Sequence, residues 1–160
     1  MVTADTIFGA ANDSLYAVNR ASGIELWKPI EIRRQAEGKE RSVQVHALVD
    51  AGAVLIGTTS SHLIAFDKTS GAAVWEIPGK FGENAPSLAV AGNVLYFQGR
   101  LDPEADDARG TLHALDLDTQ KILWSYTRKT AEPNWSFGYV TPVDGGLWVD
   151  SYQALVKLQQ

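Results

Sequence analysis

Four carboxylates crowd one short stretch of this chain. Asp102, Glu104, Asp106 and Asp107 lie between Gly99 and Gly110, bracketed by Arg100 and Arg109. Oxygen donors at such spacing are the kind that Ca²⁺ takes. Pro103 interrupts the run, however, and the glycine and closing glutamate of a calcium-binding loop are absent, so the stretch reads as a solvated acidic hairpin. The histidines His46, His62 and His113 fall in three different strand contexts, and no pair has metal-ligand spacing. Serine nucleophiles cannot be assigned without a base in reach. Gly-x-Ser-x-Gly, phosphate-loop and dinucleotide fingerprints are all missing. The chain has no cysteine, which excludes disulfides, thiolate catalysis and thiolate-bound zinc. No catalytic, cofactor-binding or metal-binding residue is therefore assigned.

The remaining chemistry is that of recognition. Trp135 stands just before a strand and outside any repeated position, where it can stack on a ligand or partner. Tyr139 follows it on that strand. Arg33 and Arg34 sit in the stretch Lys28–Ser42, which mixes Lys39 and Arg41 with Glu31, Glu37 and Glu40 and reads as a solvated loop. Aromatics and arginines dominate binding hot spots. Trp135, Tyr139, Arg33 and Arg34 are thus the candidates for a partner-binding face, with Asp102, Asp106 and Asp107 adding electrostatic selection for a basic partner.

What must position these residues is a repeat. Leu15-Tyr-Ala-Val-Asn leads to Ser22-Gly-Ile-Glu-Leu-Trp27, Leu63-Ile-Ala-Phe-Asp to Ser70-Gly-Ala-Ala-Val-Trp75, and Leu112-His-Ala-Leu-Asp to Thr119-Gln-Lys-Ile-Leu-Trp124. The tryptophans are 48 and 49 residues apart. That period, filled with short strand-like segments and turn residues, is the signature of β-propeller blades. Each unit divides into strands A to D. Strand D holds the tryptophan, Ala17, Ala65 and Ala114 mark a small position in strand C, and Gly23 and Gly71 fit a C–D turn needing positive φ. Gln120 replaces that glycine in the third unit, so its turn uses Asp118 or carries strain. The predicted fold is all-β, an arc of about three and a half four-stranded antiparallel blades, with units at approximately 1–30, 43–77, 84–126 and 136–160. The A–B and C–D turns are short and share one face. The long connections 28–42, 99–110 and 127–136 share the other, where binding usually sits.

The pattern resembles the quinoprotein-type propeller repeat, often called the PQQ-like repeat: a hydrophobic residue, x-Ala-hydrophobic-Asp-x-x-Thr-Gly-x-x-x-Trp. The resemblance spans roughly residues 6–158. It implies that Trp27, Trp75 and Trp124 dock between blades on the small residues Ala17, Ala65, Ala114, Gly23 and Gly71. It also implies two function classes. One is a non-catalytic scaffold, assembly or sensor module, similar to the propellers that assist outer-membrane protein assembly. The other is a piece of a PQQ-dependent alcohol or sugar dehydrogenase, whose pocket would hold PQQ over a Ca²⁺ beneath a vicinal disulfide. With no cysteine, this chain cannot make that disulfide, so the first class is favoured, with no cofactor.

Composition is ordinary for a soluble globular protein. The net charge of −5 and pI near 5.1 disfavour nucleic acid and anionic membranes as partners, and no apolar run is long enough to span a bilayer. No signal peptide is seen, and the resemblance implies a periplasmic or other extracytoplasmic setting. The first unit lacks a convincing strand A and the last lacks strand D. The expectation is the C-terminal part of a longer propeller that binds a protein or peptide, with self-association to complete the ring as a further possibility for the exposed edges.

Overall fold

The computed structural model describes residues 1–36, 39–81, 87–102, 111–127, 137–151 and 154–159, excepting the side chains of 35, 36, 137 and 151–159. Among these the chain is all-β, and its contacts divide it into two compact units, Met1–Pro78 and Gly79–Gln160.

The first unit holds β1 (Thr6–Ala11), β2 (Ser14–Asn19), β3 (Ile30–Glu31), β4 (Arg33–Ala36), β5 (Lys39–Ser42), β6 (Ala47–Ala51), β7 (Val54–Thr58), β8 (His62–Asp67) and β9 (Ala73–Pro78). They form the sheet β1-β2-β3, the hairpin β4-β5 and the sheet β6-β7-β8-β9. The second unit holds β10 (Leu88–Ala91), β11 (Val94–Gly99), β12 (Thr111–Asp116), β13 (Lys121–Tyr126), β14 (Phe137–Val143), β15 (Gly146–Ser151) and β16 (Ala154–Gln159), in the sheets β10-β11-β12-β13 and β14-β15-β16. All pairings are antiparallel neighbours in sequence. This is the meander of a propeller blade, repeated as a partial β-propeller.

Strand composition follows depth in the blade. The middle strands β7 and β8 read Val-Leu-Ile-Gly-Thr and His-Leu-Ile-Ala-Phe-Asp, and nearly every residue is buried. A strand covered on both faces needs an almost continuous apolar run. The outer strands β9 and β13 are mostly exposed. One core cluster in the first unit gathers Phe8, Leu15, Ala17, Ile32, Val45, Leu55, Ile64 and Phe66. Another in the second gathers Ala89, Tyr96, Leu112, Ala114, Val140, Leu147 and Val149. In the second unit Ser87 Oγ accepts the Val140 amide at 2.7 Å, a buried tie from the edge of one sheet to the first strand of the next.

The C–D turn is built the same way three times. The side-chain oxygen of Asn19, Asp67 or Asp116 accepts hydrogen bonds from the residues two or three further on. The backbone carbonyl of the same residue accepts from Gly23, Gly71 or Gln120 at 2.7–2.8 Å. The two glycines have φ of 70° and 73°, and Gln120 takes 57°. The third turn thus carries a side chain in left-handed backbone, which costs a non-glycine residue about 1–2 kcal/mol. Gln120→Gly is expected to relieve that strain against a smaller penalty from the added entropy of the unfolded chain, raising Tm by a few degrees. A thermal melt showing no rise would mean that the Gln120 side chain stabilises the turn by other contacts.

Two sequence expectations are corrected and one is refined. First, Lys28–Ser42 is not a solvated loop. Pro29 breaks the outer strand after Trp27, since proline cannot donate to the ladder, and β3 resumes against Ser14 and Leu15. Ile32 is then buried, and β4 and β5 form a hairpin. Second, the residues before Thr6, expected to add no strand, add an isolated bridge and still no strand. Val2 bridges Ile7, and Met1 and Phe8 exchange backbone hydrogen bonds at 2.8 and 2.9 Å. Third, Trp27, Trp75 and Trp124, expected to be largely buried, are half-buried, because each sits on an outer strand or its continuation.

Candidate functional site

A cleft of about 320 Å³ lies in the first unit, lined by Ile30, Ile32, Phe66 and Ala73 together with Glu31, Arg33, Arg34 and Glu40. Three turns of local structure place it. The Pro29 break sends the chain across Gly71, the hairpin carries Arg33 and Arg34 to the rim, and β9 brings Glu76 alongside. Arg33 donates to Glu31 at 2.7 Å and to Glu40 at 3.4 Å. Those bonds hold the Glu31 carboxyl below its usual range, chiefly through Arg33 and next through Ser42. Arg34 donates to Glu76 at 2.6 Å and to the Arg33 carbonyl at 2.6 Å, while its Nε is buried without a hydrogen-bond partner.

Behind the rim, Trp27 donates its Nε1–H to the Lys68 carbonyl at 3.3 Å and lays its ring over Gly71. Lys68 itself pairs with Asp50 and lies 6.0 Å from the centre of the Phe8 ring. Ala17 and Ala65 are buried beneath, and Gly23 is exposed. In the second unit Ala114 is buried and pairs with Trp124, whose ring lies 6.0 Å from Tyr96. Trp75 pairs with Ala65.

The other residues named from sequence are distributed as follows. Tyr139 is strongly exposed on β14, at 71%. Asp102 is exposed just after β11. Trp135, Asp106 and Asp107 lie outside the described residues. Arg33 and Arg34 share the first unit's cleft; Tyr139 and Asp102 belong to the second unit. Among the described residues, no three carboxylate or imidazole groups converge as a metal site, and no helix is long and apolar enough to cross a membrane.

Two histidines make defined contacts. His62 Nδ1 lies 2.8 Å from Ser61 Oγ, and burial lowers its pKa despite Glu76 nearby. His113 is buried, with Nε2 3.1 Å from the Gly99 carbonyl and Nδ1 2.7 Å from Ser125 Oγ. A carbonyl only accepts, so Nε2 carries the proton. Nδ1 then accepts from the serine hydroxyl of the neutral ring. Burial pushes the His113 pKa down, against the pull of the Gly99 carbonyl. Both ring nitrogens are thus satisfied, and the ring stacks on Phe97 at 5.1 Å. This tie was not legible in the sequence, because it joins two strands across an insertion.

Comparison with known proteins defines the class. The chain aligns with the WD40 domain of Neurospora crassa Pan2 at TM-score 0.60 and 6% identity, covering 93% of this chain and 41% of that one. It aligns with the computationally designed Ika4 protein at TM-score 0.66 and 14% identity, covering 99% and 87%. A europium-containing methanol dehydrogenase aligns at TM-score 0.52 and 14% identity, over 78% of this chain and 23% of that one. These likenesses establish the fold, a β-propeller. The family model described as outer membrane protein assembly factor BamB matches residues 11–149, and the chain belongs to that family. A polyvinylalcohol dehydrogenase of Sphingopyxis sp. (strain 113P3) is 26% identical over 153 residues. The alignment covers 82% of this chain, which spans about a fifth (22%) of the dehydrogenase.

Proposed function

We propose that this chain is a non-catalytic, protein-binding propeller module, working extracytoplasmically as part of a longer propeller. The observation that carries the reading is the cleft. Its apolar floor of Ile30, Ile32, Phe66 and Ala73 is rimmed by arginines and glutamates on an ordered hairpin. An apolar centre with a charged, arginine-bearing rim is the make-up of a protein interface. The assembly-factor family to which the chain belongs supports the same reading. Tyr139, exposed on the other unit, is a second contact candidate.

The rival reading, a segment of a PQQ-dependent dehydrogenase, is favoured by the polyvinylalcohol dehydrogenase likeness. The resemblance implies a vicinal disulfide that a cysteine-free chain cannot supply. No step of that chemistry is assigned to this chain's side chains.

Two measurements on the full-length protein separate the readings. A photo-crosslinking residue at position 33 or 139, introduced in the protein's own cells, is expected to give a discrete protein adduct, and one at exposed Lys121 on β13 is not. Titration with PQQ and Ca²⁺ is expected to give no saturable quinone binding. Saturable binding with alcohol- or sugar-dependent dye reduction would overturn the non-catalytic reading.

A further inference from the structure

Each unit contains one sheet-on-sheet contact, and the two are built alike. In the first unit Phe8 and Ala17, directly opposed on β1 and β2, bury with Leu55, Ile64 and Phe66 of β7 and β8. In the second unit Tyr96 and Ala114, directly opposed on β11 and β12, bury with Leu147 and Val149 of β15. One sheet thus offers an aromatic–alanine pair, and the next lays on it the aliphatic residues of its own opposite face.

Two further faces repeat these halves and are open. On β14 and β15, Trp148 opposite Thr141 stands where Tyr96 stands opposite Ala89, and Val143 stands where Ala91 does. Tyr96 and Ala89 are buried, whereas Trp148, Thr141, Val143 and the neighbouring Tyr139 are exposed. On β1 and β2, Ile7 opposite Val18 stands where Leu147 stands opposite Leu158. Leu147 is 2% exposed and Ile7 is 38%. Tyr16 and Val18 beside Ile7 are half-buried. Exposed apolar side chains gathered on one sheet face mark an interaction surface.

Charge tells the two halves apart. The alanine position of the Trp148 face is taken by Lys157, directly opposite Trp148 in the register. The Ile7 face carries the other sign: Glu25 bridges Val18 and so shares its face. Opposite charges favour joining the two halves, and like charges disfavour pairing either half with itself.

We propose that the Trp148 face of one chain receives the Ile7 face of a second copy, repeating the sheet-on-sheet contact that each unit already contains. This rests on the reading of the chain as part of a longer propeller, and it names a second copy as the source of further blades. A second copy is selected because this chain carries both halves of the contact. The contact is heterologous: each chain gives one face and takes the other.

The test is sedimentation velocity of the 160-residue chain at rising concentration. The parent is expected to pass from 17.4 kDa to multiples of that mass. Tyr139→Asp with Trp148→Asp spoils one face, and Ile7→Asp with Glu25→Lys spoils the other. Each pair should weaken self-association at least about tenfold. Leu123→Asp, at an exposed apolar position on β13, should leave it unchanged. Mixing the two double variants should restore association only as far as a dimer, because each retains the face that the other has lost. Far-UV circular dichroism checks that each variant folds. Where one does not, the exposed single changes Tyr139→Asp and Glu25→Lys decide, with the same expected direction.

A parent that stays at 17.4 kDa, double variants that associate like the parent, or a mixture that stays monomeric would overturn the proposal. So would an equal loss on Leu123→Asp, the sign of unspecific apolar contact. In the crosslinking described above, position 139 is expected to join two copies of the chain, and position 33 to capture a different protein. A monomeric parent whose position 33 still captures another protein removes only the self-association. A self-associating parent with no foreign adduct at position 33 removes only the reading of the cleft as a protein interface.

Discussion

Gly71→Ala is expected to destabilise the chain by about 2–5 kcal/mol, and Gly23→Ala by only about 1–2 kcal/mol. The two glycines occupy the same place in successive repeats, with φ of 73° and 70°. Left-handed backbone therefore charges both substitutions the same strain. What differs is the space. A Cβ at Gly23 meets nothing within 4 Å, whereas one at Gly71 would stand 2.2 Å from Ile30 Cδ1 and 3.3 Å from two atoms of the Trp27 ring. Ile30 can yield by rotating, but Trp27 is tethered through Nε1 to the Lys68 carbonyl. The extra cost at Gly71 is that of overpacking, about 1–3 kcal/mol. Urea unfolding of the two variants measures the difference directly. Equal losses would show that Trp27 is not seated on Gly71, and the docking role of the first tryptophan would fall with it. The cleft would feel the change too, since Gly71 and Ile30 both line it.

The parts of the fold legible in the sequence are those that each repeat states for itself. The Asx residue, the turn glycine, the small alanine and the tryptophan recur at fixed spacing, and every one of them acts within a few residues or one repeat away. Even Gln120 was readable as a departure, a turn that uses Asp118 or carries strain, because the other two turns supplied its template. The cleft was not legible. Its hairpin has no counterpart among the described residues of the other repeats, so periodicity could not register it. Its charges, read in one dimension, looked mixed and solvated. Only the register that places Arg34 against Arg41 and Arg33 against Ser42 separates them into two faces. Pro29 was the available signal: a proline two residues after a repeat tryptophan announces that the outer strand cannot run on as it does after Trp75 and Trp124. The tie of Ser87 to Val140 and that of His113 to Gly99 were invisible for another reason. Each joins residues whose separation in sequence carries no pattern, and only the stacking of strands brings them together.

Phe97→Ala is expected to cost about 3–5 kcal/mol and to flatten the chain's sensitivity to acid. Phe97 is fully buried, its ring 5.1 Å from His113 on one side and 6.0 Å from Phe81 on the other. Phe81 in turn lies so close over Gly99 that a Cβ there would come within 2.5 Å of its ring. Lys80 and Arg100 exchange backbone hydrogen bonds at 2.7 and 2.8 Å beside it. The aromatic stack thus keeps water from the His113 ring, whose pKa burial lowers below the ordinary 6.5. A histidine with a depressed folded pKa takes up protons more readily once unfolded. Its contribution to stability is therefore complete above about pH 6.5 and is lost as the pH falls from there through the folded value. Removing the Phe97 ring opens a cavity beside the imidazole, admits water and returns the pKa toward 6.5, so less stability remains to be lost on acidification. His62 is shifted in the same direction in the other unit, so the comparison is made with and without His113→Gln, which isolates the His113 share. An NMR titration of His113 gives the most direct reading. Its midpoint should lie below 6.5 in the parent and move up in Phe97→Ala; an unmoved midpoint would mean that the Gly99 and Ser125 hydrogen bonds, not the aromatic stack, govern the ring.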